Sequence, residues 1–233
     1  MRIRWFGQSA FALTGADGTR IFLDPFAEFT PEILAARPGM QFDYAPIRDV
    51  EADLLLVTHE HMDHNGVEAV VGSPHTVRST AGTLETPHGT VVAIASEHDA
   101  VAGTERGPNS IYVFSLDGLR IAHFGDFGQA ELRPAQQAAI GEIDVLFLPV
   151  GGGPTTGGEP AAELVRALRP RLVVTMHYGN EAVNFLSGPE PFLDALPEAR
   201  VERLESSEAE AEDLLGERDA PVVVVFAPPL RTV

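Results

Sequence analysis

Three of the chain's eight histidines fall within six positions, in Leu56-Val57-Thr58-His59-Glu60-His61-Met62-Asp63-His64-Asn65-Gly66. Imidazole nitrogens and carboxylate oxygens are the donors that divalent ions use in hydrolytic sites. The spacing suits chelation. In an extended backbone, positions i, i+2 and i+4 share a face, so His59 and His61 can hold one ion with Asp63 beside them. His64 follows in a turn and points elsewhere, which lets Asp63 and His64 serve a second ion close by. A helix would set His59 and His61 roughly 200° apart around its axis, so helical placement is disfavoured. The H-E-x-x-H pattern of zinc peptidases fails, because the residue four after His59 is Asp63. The bland alternative for such a run is a solvated polar loop.

A two-ion site needs more donors, and three later segments offer them: Ser96-Glu97-His98-Asp99, Phe124-Gly125-Asp126-Phe127-Gly128 and Thr175-Met176-His177-Tyr178-Gly179. Each closes an apolar run, where loops at strand ends gather functional groups. His98 is the expected third histidine, with His75 and His88 as alternatives. Asp126 reads as a ligand, its alternative being a turn cap. His123, on a strand, reads as a core group or a support for a ligand. Asp24 either orients a ligand histidine or caps a turn. Asn109 and Tyr178 either touch substrate or are structural. Ser9, in Gly7-Gln-Ser-Ala-Phe11, lacks the final glycine of a nucleophile elbow. The run Gly151–Gly158 matches no nucleotide-binding loop and reads as a flexible loop near the site. With no thiolate in the set, zinc, manganese or iron fits.

These groups need a scaffold of strands. Apolar runs predict strands at Ile3–Phe6, Ala10–Thr14, Arg20–Asp24, Asp53–Thr58, Val91–Ala95, Ser110–Ser115, Arg120–Phe124, Asp144–Val150, Arg171–Met176 and Val222–Ala227. Helical patterns lie at Pro31–Ala36, Asn65–Val71, Pro134–Ile140, Pro160–Leu168 and Pro189–Leu196, four of them opening on a proline. Strands come in pairs first and then alternate with helices, which predicts two sheets with helices outside. Ala52-Asp53-Leu-Leu-Leu-Val and Ile143-Asp144-Val-Leu-Phe-Leu echo one another, a hint of a duplicated half. Ala27–Val50 has few signals and reads either as a surface loop with a short helix or as a flap over a pocket.

Composition excludes several chemistries. The 233 residues contain no cysteine, which removes disulfides, thiol nucleophiles and iron–sulfur clusters. All 16 basic residues are arginine, which removes Schiff-base lysines and the Walker A lysine. Against 34 acids the formal charge is −18, so most of the surface repels a nucleic acid. The acidic stretch Glu198–Asp219 reads as a solvated face. The longest clean apolar run, Val222–Ala227, is far short of the ~18 residues of a membrane span. The opening MRIRWFGQSAF has no apolar signal core, so a cytoplasmic location is expected.

The motifs together resemble the metallo-β-lactamase superfamily, in its small-hydrolase branch near the ascorbate-6-phosphate lactonases. The resemblance rests on Gly7-Gln8-Ser9-Ala10-Phe11, Leu23-Asp24-Pro25-Phe26, the H-x-H-x-D-H run, Arg106-Gly-Pro-Asn109-Ser110-Ile111-Tyr112, Asp117-Gly118-Leu119-Arg120 through Gly125-Asp126, Asp144-Val145-Leu146 and Met176-His177-Tyr178. It implies an α/β fold, an αββα sandwich of two mixed sheets flanked by helices, as a single domain over 1–233 with the metal site at one edge. It implies His59, His61 and His98 on one ion, Asp63, His64 and His177 on a second, and Asp126 between them. Two divalent ions are expected, zinc first, with manganese, iron or nickel as alternatives. The expected activity is hydrolysis of a small ester, lactone or related substrate, with Asp63 also acting as a proton acceptor. A phosphodiesterase or nuclease of the same fold, and a non-catalytic metal-binding sensor or scaffold, are the alternatives. The expected partner is a small molecule, with no membrane, long nucleic acid disfavoured, and a homo-oligomer left open.

Overall fold

The computed structural model describes residues 1–231. The first half forms β1 (Arg2–Gly7), β2 (Ala10–Thr14), β3 (Arg20–Leu23), helix α1 (Pro31–Ala35), β4 (Val50–Glu51), β5 (Leu54–Val57), β6 (Val70–Val71), β7 (His75–Arg78), β8 (Gly82–Thr86) and β9 (Gly89–Glu97). There follow β10 (Pro108–Leu116), β11 (Leu119–His123), α2 (Pro134–Ile140), β12 (Val145–Pro149), α3 (Gly158–Leu168) and β13 (Leu172–Met176). The chain ends through α4 (Glu190–Ala195), β14 (Arg200–Arg203), β15 (Glu208–Glu210), α5 (Ala211–Leu214) and β16 (Val222–Val225).

Two mixed sheets result. A six-stranded sheet runs β15-β1-β2-β3-β5-β7, and an eight-stranded sheet runs β14-β16-β13-β12-β11-β10-β9-β8. β3, β5 and β7 are parallel, as are β11, β12, β13 and β16. The all-buried stretches Leu54–Val57, Val145–Pro149, Leu172–Met176 and Val222–Val225 are these inner parallel strands. Covered on both faces, they read as continuous apolar runs, not as alternations. The sheets face one another through their side chains. Phe11 of β2 meets Phe147 of β12 at 4.8 Å between ring centroids, and the Tyr112 hydroxyl of β10 donates to the Val57 carbonyl of β5 at 2.7 Å. Helix α3 buries Ala161, Ala162, Leu164, Val165 and Leu168 and carries the crossover between parallel β12 and β13. Among the described residues no helix is long and apolar enough to cross a membrane.

The echo between the halves extends further than the strands. Asp17-Gly18-Thr19-Arg20 turns the chain from β2 into β3, and Asp117-Gly118-Leu119-Arg120 turns it from β10 into β11. Asp53 then takes the Arg20 amide at 2.9 Å, and Asp144 takes the Arg120 amide at 3.0 Å. Each aspartate opens the next parallel strand in the same way.

Two expectations are corrected. Asn65–Val71 is not a helix: Val67–Ala69 form one 3-10 turn, and Val70–Val71 pair with Val50–Glu51. The β-branched Val67, Val70 and Val71 suit that pairing better than a helix. Ala27–Val50 does not stand free as a whole. Phe29 stacks on Phe42 at 3.9 Å, Phe42 packs edge-on to Tyr44 at 5.3 Å, and Tyr44 meets Trp5 at 5.8 Å. Phe29, Phe42 and Tyr44 anchor the stretch in the core, while the surroundings of α1 and Asp43, Arg48 and Asp49 stay exposed.

Candidate metal centre

The seven expected donors meet at one end of the sandwich, at the C-terminal ends of β5, β9, β11 and β13. His59, His61 and His98 form one group, and Asp63, His64, Asp126 and His177 a second, each with its donor atoms within 4.8 Å of one another. His75 and His88 lie elsewhere, in a cleft with Arg20 and Asp53. Residues 59–64 are bends and turns, not the extended backbone expected from the spacing. His64 and Asn65 close a turn on the His61 carbonyl at 2.9 and 3.0 Å. The neighbouring segment pins this loop: Ala27 donates to the Met62 carbonyl at 2.7 Å and Gly66 to the Pro25 carbonyl at 2.6 Å. The turn places Asp63 and His64 in a separate donor group, although the His64 ring still lies 4.2 Å from that of His59.

Contacts behind the imidazoles set which nitrogen faces inward. The Asp24 carboxylate, fully buried, can only accept, so His64 donates from Nδ1 (3.0 Å) and His123 from Nε2 (2.8 Å). Thr58 donates its amide and hydroxyl to Asp24 at 2.7 and 2.8 Å, which leaves the Thr58 oxygen to accept from His59 Nδ1 at 3.1 Å. His98 donates from Nδ1 to the Pro154 carbonyl at 3.2 Å. The Nε2 lone pairs of His59, His64 and His98 are thereby free to face the centre, the arrangement that ligand imidazoles take.

Distances between donors fit ions. Two ligands ~2.0–2.1 Å from a tetrahedral ion lie about 3.3 Å apart. His59 Nε2 and His61 Nδ1 are 3.0 Å apart. Asp126 Oδ2 is 3.0 Å from His98 Nε2 and 3.4 Å from His177 Nε2, and Asp126 Oδ1 is 3.0 Å from His64 Nε2. Asp63 lies 3.8 Å from His64 and 3.7 Å from His177. One carboxylate thus touches both groups. Asp126 Oδ1 and His64 Nε2 are buried and make no hydrogen bond. A buried polar atom left unpaired costs about 1–3 kcal/mol, and a cation between them would offset that cost. The donor set therefore fits divalent metal.

Electrostatics point the same way. Burial alone would raise the carboxyls of Asp24, Asp63 and Asp126, but neighbouring imidazoles outweigh it and hold all three below the usual carboxylate range, Asp63 at about 2. Burial, together with the charge of His64, pushes His59 down to about 3. Burial opposes protonation of His64 too, but Asp126, Asp24 and Asp63 override it and raise this group well above its ordinary value. Three ionised carboxylates walled in by histidines attract cations.

Glycine permits the approach at two points. Gly125, at φ +53°, precedes Asp126, and a Cβ there would lie 2.5 Å from Asn109 Oδ1 and 2.6 Å from Thr58 Oγ1. Gly128 packs on the His98 backbone, where a Cβ would meet its carbonyl carbon at 2.5 Å. Asp24 and His177 take left-handed backbone themselves, at φ +42° and +49°, a strain of order 1–3 kcal/mol that functional sites often hold.

Asn109 and Tyr178 turn inward. The Asn109 amide spends its donors on Ser96 Oγ (2.8 Å) and the Phe124 carbonyl (2.9 Å) and accepts from the Asp126 amide at 3.1 Å. Tyr178 is buried against Trp5, with ring centroids 5.6 Å apart. Of the two roles left open for them, the buried side chains fit the structural one. Gly151–Gly158 is tied down: Gly151 donates to the His177 carbonyl at 3.1 Å and Thr156 to the Phe127 carbonyl at 2.8 Å. Two supports have no counterpart among the expected residues: Thr58 and the Pro154 carbonyl. Thr58 could have been found from its place before His59, whereas a backbone carbonyl leaves no residue signal.

Comparison with known proteins shows the family of the chain. Residues 2–177 match the beta-lactamase superfamily domain. A metal-dependent hydrolase of Thermococcus onnurineus is 32% identical over 215 residues, covering 82% of this chain and 90% of that protein. A Thermotoga maritima structure, assigned as a zinc-dependent hydrolase of the metallo-beta-lactamase superfamily, superposes with a TM-score of 0.73 at 28% identity, over 97% of this chain and 98% of that one. The isothiocyanate hydrolase of Delia radicum gut bacteria shares the fold, with a TM-score of 0.66 at 16% identity over 83% of this chain and 91% of that one. The chain belongs to the beta-lactamase superfamily, among its metal-dependent hydrolases.

Proposed function

We propose that this chain hydrolyses a small ester, lactone or related substrate at a two-ion centre, with His59, His61 and His98 on one ion, Asp63, His64 and His177 on the other, and Asp126 shared. The observation that carries the reading is Asp126, one buried carboxylate within 3.0–3.4 Å of imidazoles from both groups. Bound ions would supply Lewis-acid activation of water and of the scissile carbonyl. The protein's own part is to orient and to move a proton. Asp24 and Thr58 hold His64 and His59 in the tautomers that leave Nε2 free. Asp63 is part-exposed where its partners are buried, so its carboxylate can take the proton that water gives up. Zinc is the first expectation for a His/Asp set, with manganese, iron or nickel as alternatives.

The test is elemental analysis of protein purified without chelator and after reconstitution, coupled to turnover of small esters, lactones and model phosphodiesters. Roughly two ions per chain, and ester or lactone turnover lost on chelation, is the expected result. Metal content that stays near zero overturns the reading. Turnover confined to phosphodiesters moves it to the phosphodiesterase alternative, and full metal with no turnover moves it to a sensor.

A further inference from the structure

A cavity of about 300 Å³ opens beside His59 and His61 and is also lined by Glu60, Ser79, Ser110 and Arg106. That volume sits at the small end of ligand sites. Nearly every polar group on its wall is already engaged. Glu60 is held by Arg78 at 2.8 Å and by the Ser79 hydroxyl, and the Ser110 hydroxyl donates to the Thr80 carbonyl at 2.8 Å. Thr58 is spent on Asp24. Arg106 differs: among the described residues its guanidinium makes no hydrogen bond and no ion pair. Arg37 and Arg120 also lack a carboxylate partner but bond backbone carbonyls, whereas the exposed Arg106 guanidinium bonds neither. Arg20, Arg78 and Arg133 all find carboxylates nearby.

The backbone of Arg106 is placed with care. Asp99 accepts from the amides of Val101 (2.9 Å), Gly103 (2.7 Å), Glu105 (3.0 Å) and Arg106 (2.8 Å), and His98 donates to the Gly107 carbonyl at 3.1 Å. One loop thus joins a candidate metal ligand to a free arginine across a small cavity. Five donors in a planar fork match a carboxylate or phosphate two at a time.

We propose that Arg106 is the anion receptor of this site, binding the carboxylate or phosphate end of a small substrate whose scissile group lies against the His59–His61 side. The substrate is then an anionic ester or lactone, a narrowing that rests on the hydrolase reading above.

The test uses the metal-loaded full chain and a matched pair of esters, monomethyl succinate and its neutral counterpart methyl butyrate. Arg106→Ala lowers the anionic-over-neutral selectivity at least tenfold, mainly through KM. Arg106→Lys, which keeps the charge but not the fork, falls between. Arg200→Ala on edge strand β14 removes the same charge and leaves the selectivity as in the parent, which separates local contact from the general field. A binding arm titrates succinate and methylphosphonate calorimetrically, which distinguishes carboxylate from phosphate recognition and needs no turnover. Weakening of either anion at least tenfold in Arg106→Ala supports the proposal. If no ester is turned over but this weakening is seen, the hydrolase reading fails and the receptor stands. Equal anion affinities in parent and Arg106→Ala, no binding of either anion by the parent, or a selectivity loss that Arg200→Ala reproduces overturns it.

Discussion

Asp126 lies against imidazoles of both ligand groups, and two cations held a few ångströms apart need an anion between them. Asp126→Ala is therefore expected to lower the metal stoichiometry by at least one ion. Elemental analysis with a circular-dichroism check of folding reads it. In the same assay His98→Ala loses metal, whereas His75→Ala and His88→Ala keep it, since the latter two lie outside the centre. A finer contrast separates the two histidines on Asp24. Asp24→Asn removes the charge and turns one of the two acceptor oxygens that orient His64 and, through Thr58, His59 into a donor, and it weakens metal binding by about 10–100-fold, the usual cost of losing a supporting carboxylate. His123→Ala removes only a second donor to that carboxylate and leaves metal content nearly intact. Loss of metal in His123→Ala with retention in Asp24→Asn would reverse this hierarchy. The seven residues that the structure brings together are legible in the sequence, four of them from their spacing in one run and the set as a whole through the family resemblance. The backbone that positions 59–64 is not: alternation predicted an extended segment, and a turn closed on the His61 carbonyl does the same work. Asn109 shows the reverse limit. The sequence leaves open whether it touches substrate or is structural, and burial commits its amide to the loop that carries Asp126.

The inner strands β5, β12, β13 and β16 were readable from unbroken apolar runs, and the ten strands expected from sequence all lie near observed ones. The misses are elements whose residues stay exposed. β7 buries only Val77 and β14 is polar and part-exposed, so neither has a pattern to read; both lie at sheet edges, where polar residues guard against further pairing. The paired aspartates that open β5 and β12 offer a test of the duplicated half. Asp144 bonds the Arg120 amide and Arg218, and Asp53 bonds the Arg20 amide and side chain. Asp144→Ala and Asp53→Ala are each expected to cost about 1–2 kcal/mol in denaturant unfolding, since each leaves a strand-opening amide unpaired. They belong to different sheets with no shared partner, so the double variant should show the sum. The Asp53 contribution also has a pH signature. Hydrogen bonds from Arg20 lower its pKa in the folded state, so the stabilisation is present above the unfolded value of about 3.8 and is lost as pH falls through the lower folded value. The stability gap between the parent and Asp53→Asn should be full at neutral pH and narrow as the solution is acidified. A gap that widens in acid would contradict the assignment.

Charge over the whole molecule bears on the proposed preference for small substrates over long nucleic acid. The formal charge is −18, and its cations are largely neutralised where they stand: Arg2, Arg4, Arg200 and Arg203 pair with Glu210, Glu208, Glu202 and Glu190. A polynucleotide gains affinity by releasing counterions from many phosphates along a basic track, with log K falling by about 0.9 per contacted phosphate for each decade of salt. Arginines already paired to surface glutamates offer no such track. A small anion meets a different field, because it enters a cavity of about 300 Å³ where Arg106 and two bound ions would supply local positive charge. A single contact in a cavity releases far fewer counterions than a track of phosphate contacts spread over a surface. The expected outcome is turnover of small anionic esters or lactones that changes less than about threefold between low and physiological salt, with little or no cleavage of labelled RNA or DNA under either condition. Asp126→Ala serves as the blank, since a contaminating nuclease would survive in it. Metal-dependent cutting of long RNA or DNA by the parent chain, absent from that variant and falling steeply as salt rises, would show that a track exists despite the pairing. It would turn the centre toward phosphodiester bonds in place of acyl ones.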